Sequence, residues 1–470
     1  MIQLVSANVV NESIFDVIIL VSDGVKSLSL LEDKYNEVRL AVENFSKICC
    51  SLDDGNDWLI PAEKIPAKRL IYSSTGSIHG DFDDVRKYIK AGIAAGKRFL
   101  MTGARSPLLI TLPTERFPAA QICSAIGFLH SLYTPLLNRE KIENFVEKTD
   151  LIGILELKTK CQKIENFIPY GSLDDFLQGI QSSFNLCRDI GDGDPQRMSP
   201  SRVAEYILNE FKDSSVKINI VENKDQILKN YPLMAAVSRS SNNIEEHRAR
   251  LIWLEYIGEG EITETLFIVG KGVTIDTGGA NLKVGTSMYG MSRDKYGSAV
   301  VAGFFRALDI LKPTGIRVVG CMCMCRNSIG SNSFTTDEII TARSGKTIQI
   351  TNTDAEGRLA MADALAEMKE LDFSFHSSDV QTAQLKQSDI GPSVQTLRGH
   401  QGPAAFLICA SGLSECGLDS AHPIKYTHLD IGHVMGAYPQ CSLPSPLLTL
   451  IAHHILPKTK FQEWEVKIIS

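Results

Sequence analysis

Asp354 and Glu356 stand two residues apart in Asn352-Thr353-Asp354-Ala355-Glu356-Gly357-Arg358-Leu359, and the guanidinium of Arg358 follows two positions later. On a strand end or in a tight turn, that spacing sends both carboxylates to one side. Two such groups repel unless a cation lies between them, and hard divalent metals take oxygen ligands of this kind. A solvated acidic turn is the other reading of so short a segment, so the choice depends on what precedes it. A second cluster precedes it. Val269-Gly270-Lys271-Gly272-Val273-Thr274-Ile275-Asp276-Thr277-Gly278-Gly279 leads to Lys283 and then to Asp294. Asp276, Asp294, Asp354 and Glu356 would be costly to bring together without compensation. Two divalent cations and two lysines would supply it, as in a two-metal hydrolytic centre where a held water becomes a nucleophile near neutral pH.

Those groups need elements to hold them. Leu266-Phe267-Ile268-Val269 reads as a buried strand ending near Lys271, and the glycines after Asp276 read as a turn that lets backbone approach a ligand. The apolar run Thr347-Ile348-Gln349-Ile350 places the octapeptide just beyond a strand, and Leu359–Leu371 follows as a helix. In that helix Leu359, Ala362, Ala366 and Met368 form an apolar stripe, which is core rather than cofactor contact.

Both clusters, at this separation, resemble the leucyl aminopeptidase family of two-metal exopeptidases (peptidase family M17), whose octapeptide signature is present here unchanged. The resemblance implies that Lys271, Asp276, Asp294 and Glu356 ligate one metal and Asp276, Asp354 and Glu356 the other. It further implies that Lys283 polarises the scissile carbonyl and that Arg358 holds a bicarbonate acting as general base. Two Zn2+ or Mn2+ ions per subunit, a peptide substrate with leucine-like N-terminal residues, and a homohexamer follow from the same source. The chemistry agrees: a ligating Lys271 must be neutral, whereas Lys283 must stay charged to stabilise an oxyanion. Arg398-Gly399-His400-Gln401-Gly402-Pro403-Ala404-Ala405-Phe406 is most similar to the divergent animal aminopeptidase-like branch.

Composition permits this reading. The 470 residues suggest two to three domains, and 44% hydrophobic with 22% charged residues describes a globular chain with large cores. A net charge of -7 gives no reason to expect nucleic acid or anionic membrane as a partner. The eleven cysteines are scattered, and neither they nor the ten histidines show zinc-finger spacing. Cys321-Met322-Cys323-Met324-Cys325 reads as a buried strand of soft apolar residues rather than a metal site. Buried free thiols suit a reducing compartment. With no transmembrane run and no basic-led leader, the expectation is a cytoplasmic protein.

The expected architecture is α/β with two domains: residues 1–171, a smaller α/β domain with an assembly role, and 172–470, a larger catalytic domain with a mixed central sheet flanked by helices. In the first, Val17–Val21, Arg69–Tyr72 and Leu108–Ile110 read as strands. A helix from Asp81 ends near the Gly92 and Gly96 signals, and another runs from Pro118 to Tyr133. His79, Asp81, Asp83 and Asp84 read as a solvated helix N-terminus. In the second, Ser199 reads as an N-cap with Pro200 opening a helix to Glu210. Strands follow at Val216–Val221 and Leu251–Tyr256, with a helix at Ser298–Leu311. Thr427-His428-Leu429-Asp430-Ile431 is similar to a family strand, with His428 a hydrogen-bonded or core histidine rather than a base.

The pattern departs from the family in places. Beyond Leu371 the chain passes quickly through Phe373–His376 and polar Gln381–Ser393 to Gly402, and ~50 residues that shape the family's substrate pocket are missing around 373–401, a loss beyond usual loop lengths. Lys295-Tyr296 follows Asp294 where the family favours small residues, and Arg326 precedes Asn327 where it has an acidic one. A catalytically inactive structural homologue that keeps its metal site is therefore the alternative to an aminopeptidase. A two-metal phosphoesterase would want histidine ligands or a phosphate-cradling loop, and neither is evident.

Overall fold

Val17-Ile18-Ile19-Leu20-Val21 is apolar without alternation, which suits a strand covered on both faces. In the computed structural model of the chain it is a fully buried inner strand of a six-stranded sheet. The structure describes residues 3–7, 14–155, 157, 173–371, 401–417, 419–432 and 434–459. The chain forms two compact units. One comprises Met1–Thr134, Asn138–Ser182 and Leu456–Ser470, the other Pro135–Leu137 and Ser183–Ile455. Both are α/β.

The first unit carries β1 (Gln3–Ala7), β2 (Val17–Ser22), β3 (Asp57–Pro61), β4 (Arg69–Ser74), β5 (Pro107–Thr111) and β6 (Leu151–Leu155) in the order β1-β6-β5-β2-β4-β3. All neighbours pair parallel except β3 with β4. Helices α1 (Asn36–Ser46), α2 (Arg86–Thr102) and α3 (Ala120–Leu132) accompany the sheet. Gly92 and Gly96 do not end α2, contrary to expectation. The helix runs on to Thr102 and stops at Gly103, whose φ of 68° is the left-handed conformation of a helix C-terminus. The reason is packing against α3. A Cβ on Gly92 would lie 2.1 Å from the Ser124 carbonyl oxygen, and one on Gly127 would lie 2.1 Å from that of Ile89. Close backbone approach outweighs the propensity cost of about 1 kcal/mol for each helical glycine. The helix begins at Arg86 rather than at Asp81; Asp84 accepts from Arg86 N–H at its start, while Asp83 accepts from Gly80 N–H in the preceding loop.

After the short α4 (Leu136–Lys141) comes α5 (Leu173–Gly191). The second unit then continues with α6 (Pro200–Glu210), β7 (Lys217–Val221), α7 (Lys224–Asn230), α8 (Pro232–Ser238), β8 (Arg250–Ile257), β9 (Glu264–Asp276), α9 (Tyr296–Leu311) and β10 (Ile316–Asn327). A small hairpin of β11 (Ile339–Thr341) and β12 (Thr347–Gln349) precedes α10 (Glu356–Leu371), and α11 (Gln401–Ala410) and α12 (Ser445–Leu450) follow. The main sheet has the order β7-β8-β10-β9 and is mixed: β9 and β10 are parallel, the other pairs antiparallel. Helices α9 and α10 pack on β9.

Four expectations need correction here. β9 runs thirteen residues, so Lys271 lies within the strand rather than at its end. Leu266 to Val269 are half-buried rather than buried, because among the described residues β9 is the sheet's edge. Residues 427–431 form no strand; among the described residues they pair with none of the sheets. Ser199 takes the N-cap position of α6 in extended conformation, yet its buried hydroxyl makes no capping hydrogen bond. The expected core is present. Leu359, Ala362, Ala366 and Met368 are buried, as are Cys321 to Cys325. Burial pushes the Cys321 and Cys325 thiols well up, which keeps them protonated. The polar stretch 373–400 lies outside the described residues. Among those described, no helix is long and apolar enough to cross a membrane.

Candidate metal centre

The second half of β9 and the first turn of α10 supply the chemistry. Parallel strand ends beside helix N-termini are where α/β folds place ligands. Lys271 projects from β9 towards α10, and Gly357 makes room for it: a Cβ there would lie 2.2 Å from Lys271 Cε. Gly270 and Gly297 let the start of α9 press onto β9 beside Lys271, since a Cβ on Gly297 would lie 2.7 Å from the Lys271 nitrogen. Gly357 thus makes space for the lysine side chain, and Gly270 with Gly297 for the approach of α9 beside it.

Lys271 Nζ lies 2.8 Å from Asp294 Oδ2 and 2.9 Å from Glu356 Oε1. Lys283 Nζ lies 2.9 Å from Asp276 Oδ2 and 2.6 Å from Asp354 Oδ1. One carboxylate oxygen each of Asp276, Asp294 and Glu356 falls within 4.8 Å of the others. Asp354 lies outside that triad and joins it through Lys283. Six of the seven expected residues are therefore in one cluster. Arg358, the seventh, is half-buried in the first turn of α10, where burial lowers its pKa and Glu356 raises it.

The residues present fit divalent cations. Glu356 is 1% exposed, and among the described residues its carboxylate oxygens lack a well-aligned hydrogen-bond donor; the Lys271 ammonium is its ion-pair partner. A buried carboxylate costs several kcal/mol unless compensated. Four carboxylates face two ammonium groups, so positive charge is short. Burial pushes the Glu356 carboxyl up to about 7; Lys271 pulls it down, and Asp276 and Asp294 add to the rise. Asp294 and Asp354 are also raised by burial, despite Lys271 and Lys283 respectively. Burial opposes the charge on both lysines, but the carboxylates outweigh it and raise their pKa values. Carboxylate oxygens with one amine nitrogen suit Zn2+ or Mn2+.

Several positioning residues escaped the sequence reading. Asp276 Oδ1 accepts from Gly278 N–H at 2.9 Å and from Asn327 Nδ2 at 2.8 Å, and the same amide donates to the Thr353 carbonyl at 3.1 Å. Thr353 and Asn281 bond reciprocally: Asn281 N–H donates to Thr353 Oγ1 and Thr353 N–H to Asn281 Oδ1, each at 2.8 Å. The octapeptide and the glycine-rich loop are thereby fastened together. Asn327 adjoins Arg326, but nothing local marks it as the partner of a residue 51 positions away. His428 is hydrogen-bond company for Tyr426, with Nδ1 3.3 Å from the hydroxyl, and burial lowers its pKa.

Comparison with known proteins agrees with the geometry. Residues 185–383 match the catalytic domain of the cytosol aminopeptidase family. A Caenorhabditis elegans protein named as an aminopeptidase is 42% identical over 521 residues, covering 97% of this chain and 98% of its own. A Prochlorococcus marinus protein named as a cytosol aminopeptidase is 31% identical over 297 residues, 62% of this chain and 55% of that one, so the match spans about half of that relative. Among solved structures, a tomato leucine aminopeptidase mutant superposes with a TM-score of 0.70 at 20% identity over 96% of both chains. Leucyl aminopeptidase of Trypanosoma brucei, solved with actinonin, gives 0.67 at 16% identity over 86% of this chain and 85% of that one. At those identities the structures speak for the fold, and the nematode relative carries the family: this chain belongs to the cytosol aminopeptidase family, peptidase family M17.

Proposed function

We propose that this protein is a metal-dependent aminopeptidase that removes leucine-like N-terminal residues from peptides. The observation that carries the reading is the gathering of Lys271, Asp276, Lys283, Asp294, Asp354 and Glu356 into one cluster short of positive charge. Lys271, Asp276, Asp294 and Glu356 would hold one Zn2+ or Mn2+, and Asp276, Asp354 and Glu356 a second. When bound, such cations activate water and polarise a carbonyl oxygen. The side chains do the rest. Lys283 keeps its charge between two carboxylates and is the group to stabilise the developing oxyanion. Arg358 would hold a bicarbonate that carries the proton to the leaving amine. A ligating Lys271 must give up the proton that Asp294 and Glu356 favour, so metal uptake at this position displaces a proton.

A cytosolic place of work accords with the family's name, and homo-oligomer formation, with the first unit contributing to assembly, completes the reading. A structural homologue that retains its metal site is the second reading. Supporting it, the alignment to the nematode protein is 521 residues long against 470 here, so it carries more than fifty gap positions on this chain's side. The retention of all seven site residues weighs against it. The test is release of leucine from a chromogenic leucyl amide by protein reconstituted with manganese or zinc. Turnover abolished by chelation and restored by metal is expected. A folded, metal-loaded protein without turnover on leucyl or other aminoacyl amides would falsify the enzyme reading.

A further inference from the structure

Asp276 is held by a strand and by two direct hydrogen bonds, and Glu356 by the first turn of a helix. Asp294 has neither. It sits between the short 3-10 turn Met291–Arg293 and the start of α9, and among the described residues its buried Oδ2 has no hydrogen-bond partner; the Lys271 ammonium faces it as an ion pair. Its flanks are anchored instead. Asp192, just beyond α5, is nearly buried, its side chain 13% exposed. Its Oδ1 lies 2.9 Å from Arg293 Nε and accepts from the Tyr296 hydroxyl at 3.0 Å. The same carboxylate takes both donors of Ser442, the hydroxyl on Oδ1 at 2.5 Å and the N–H on Oδ2 at 2.9 Å. The next residue adds to the grip: the fully buried Lys295 donates from Nζ to the Gly193 carbonyl at 2.7 Å and also to the Ser292 carbonyl. Residues 292, 293, 295 and 296 are thus all engaged, with only the carboxylate of Asp294 left to face Lys271.

The far side of this grip is equally specific. The Arg293 guanidinium stacks on Tyr438 at 5.0 Å from the ring centroid and donates to the carbonyls of Gly436 and Gln440. Asp192 therefore ties its own segment to Ser442 and to the side chains of Arg293 and Tyr296, which lie on either side of one carboxylate. Lys295 and Tyr296, which depart from the small residues expected after Asp294, are the side chains that make the connection.

We infer that Asp192 is a positioning residue for the metal centre: by clamping Arg293, Tyr296 and Ser442 it sets the placement of Asp294, and with it the affinity for a divalent cation. The inference rests on the metal-centre reading and deepens it. Partners that orient a ligand without touching the metal typically contribute about 10- to 100-fold in affinity. Cobalt(II) is the probe, because its visible ligand-field absorption reports coordination and a competing chelator gives the affinity. Asp192→Ala should weaken cobalt binding about 10- to 100-fold and alter the absorption spectrum. Asp192→Asn, which keeps an acceptor for Ser442 and Tyr296 but loses the charge facing Arg293, should fall between Asp192→Ala and wild type. Ser442→Ala should weaken binding least. A role confined to holding the fold would lower the melting temperature while leaving the affinity and spectrum of folded protein unchanged, and that result overturns the inference. If Asp192→Ala does not fold, Asp192→Asn and Ser442→Ala decide by the same criterion. Wild-type protein that binds no cobalt would overturn the metal centre itself; binding that the variants share unchanged would overturn the role of Asp192 alone.

Discussion

The six-stranded sheet of the first unit and the four-stranded sheet of the second solve opposite problems. The first is apolar to its centre: β2 and β5 are buried at every position, and α2 meets α3 through glycines with backbones in contact. The second carries six ionisable side chains about the end of β9, where Gly357 makes space for a lysine side chain. The same residue type serves tight packing in one unit and charge placement in the other. Damage should therefore follow different currencies, stability in the first and chemistry in the second.

Lys283→Ala tests the chemical side with the largest expected effect. Removing an oxyanion-stabilising donor costs about 10²- to 10³-fold in kcat. Metal content should be retained, because Lys283 is not among the proposed metal ligands. Metal lost together with activity would show instead that Lys283 assembles the site, and the contrast with the first unit would weaken. Gly127→Ala tests the packing side. A Cβ 2.1 Å from the Ile89 carbonyl oxygen forces α2 and α3 apart, and overpacking of this kind costs about 1–3 kcal/mol. Denaturant unfolding should show that loss while turnover per folded molecule stays at the wild-type level.

The last effect is a slope rather than a step, and it concerns a carboxyl group that belongs to the second unit's scaffold rather than to its site. Asp363 is fully buried in α10 and accepts backbone N–H groups of Leu233 and Arg343, each at 2.8 Å. Burial pushes its carboxyl up to about 7 against those hydrogen bonds. The folded protein therefore holds a proton that the unfolded chain, with an ordinary carboxyl, has released between about pH 4 and pH 7. Stability from this group falls as pH rises through that window, by at most about 1.4 kcal/mol per pH unit, and is level outside it. Asp363→Asn removes the titration. The stability of wild type relative to the variant should fall between pH 4 and 7; a difference that stays constant would place the titration elsewhere. Taken together the variants ask whether the second unit separates into a scaffold that behaves like the first and a charged site that does not.

Much of the site was legible because its information is local. Asp354, Glu356 and Arg358 lie within five residues, and Lys271 and Asp276 within six, although the last pair has an odd separation on β9, where the register against β10 shifts between them. The α/β architecture was legible from Val17–Val21, Leu108–Ile110 and the stripe Leu359, Ala362, Ala366, Met368, whose periods match their elements. The misreadings have a common cause. Gly92 and Gly96 look like helix stops until α3 is present to press on them, and β9 looks shorter than it is until β10 pairs with its full length. Ser199 has the residue type of a cap without making the bond, and residues 427–431 resemble a strand without a strand partner among the described residues.

By itself, then, the sequence determined which groups could do chemistry: two lysines, four carboxylates and an arginine, with glycines between them that no other residue could replace at such close approach. The tertiary structure decided how those groups are held. Asn327 reaches Asp276 across 51 positions, Thr353 and Asn281 bond across 72, and Asp192 grips the flanks of Asp294 from about a hundred residues upstream. A side chain's capacity to ionise or ligate is written in its type, but its hydrogen-bond partner is set by which segments the fold brings within 3 Å, and only the folded sheet specifies that.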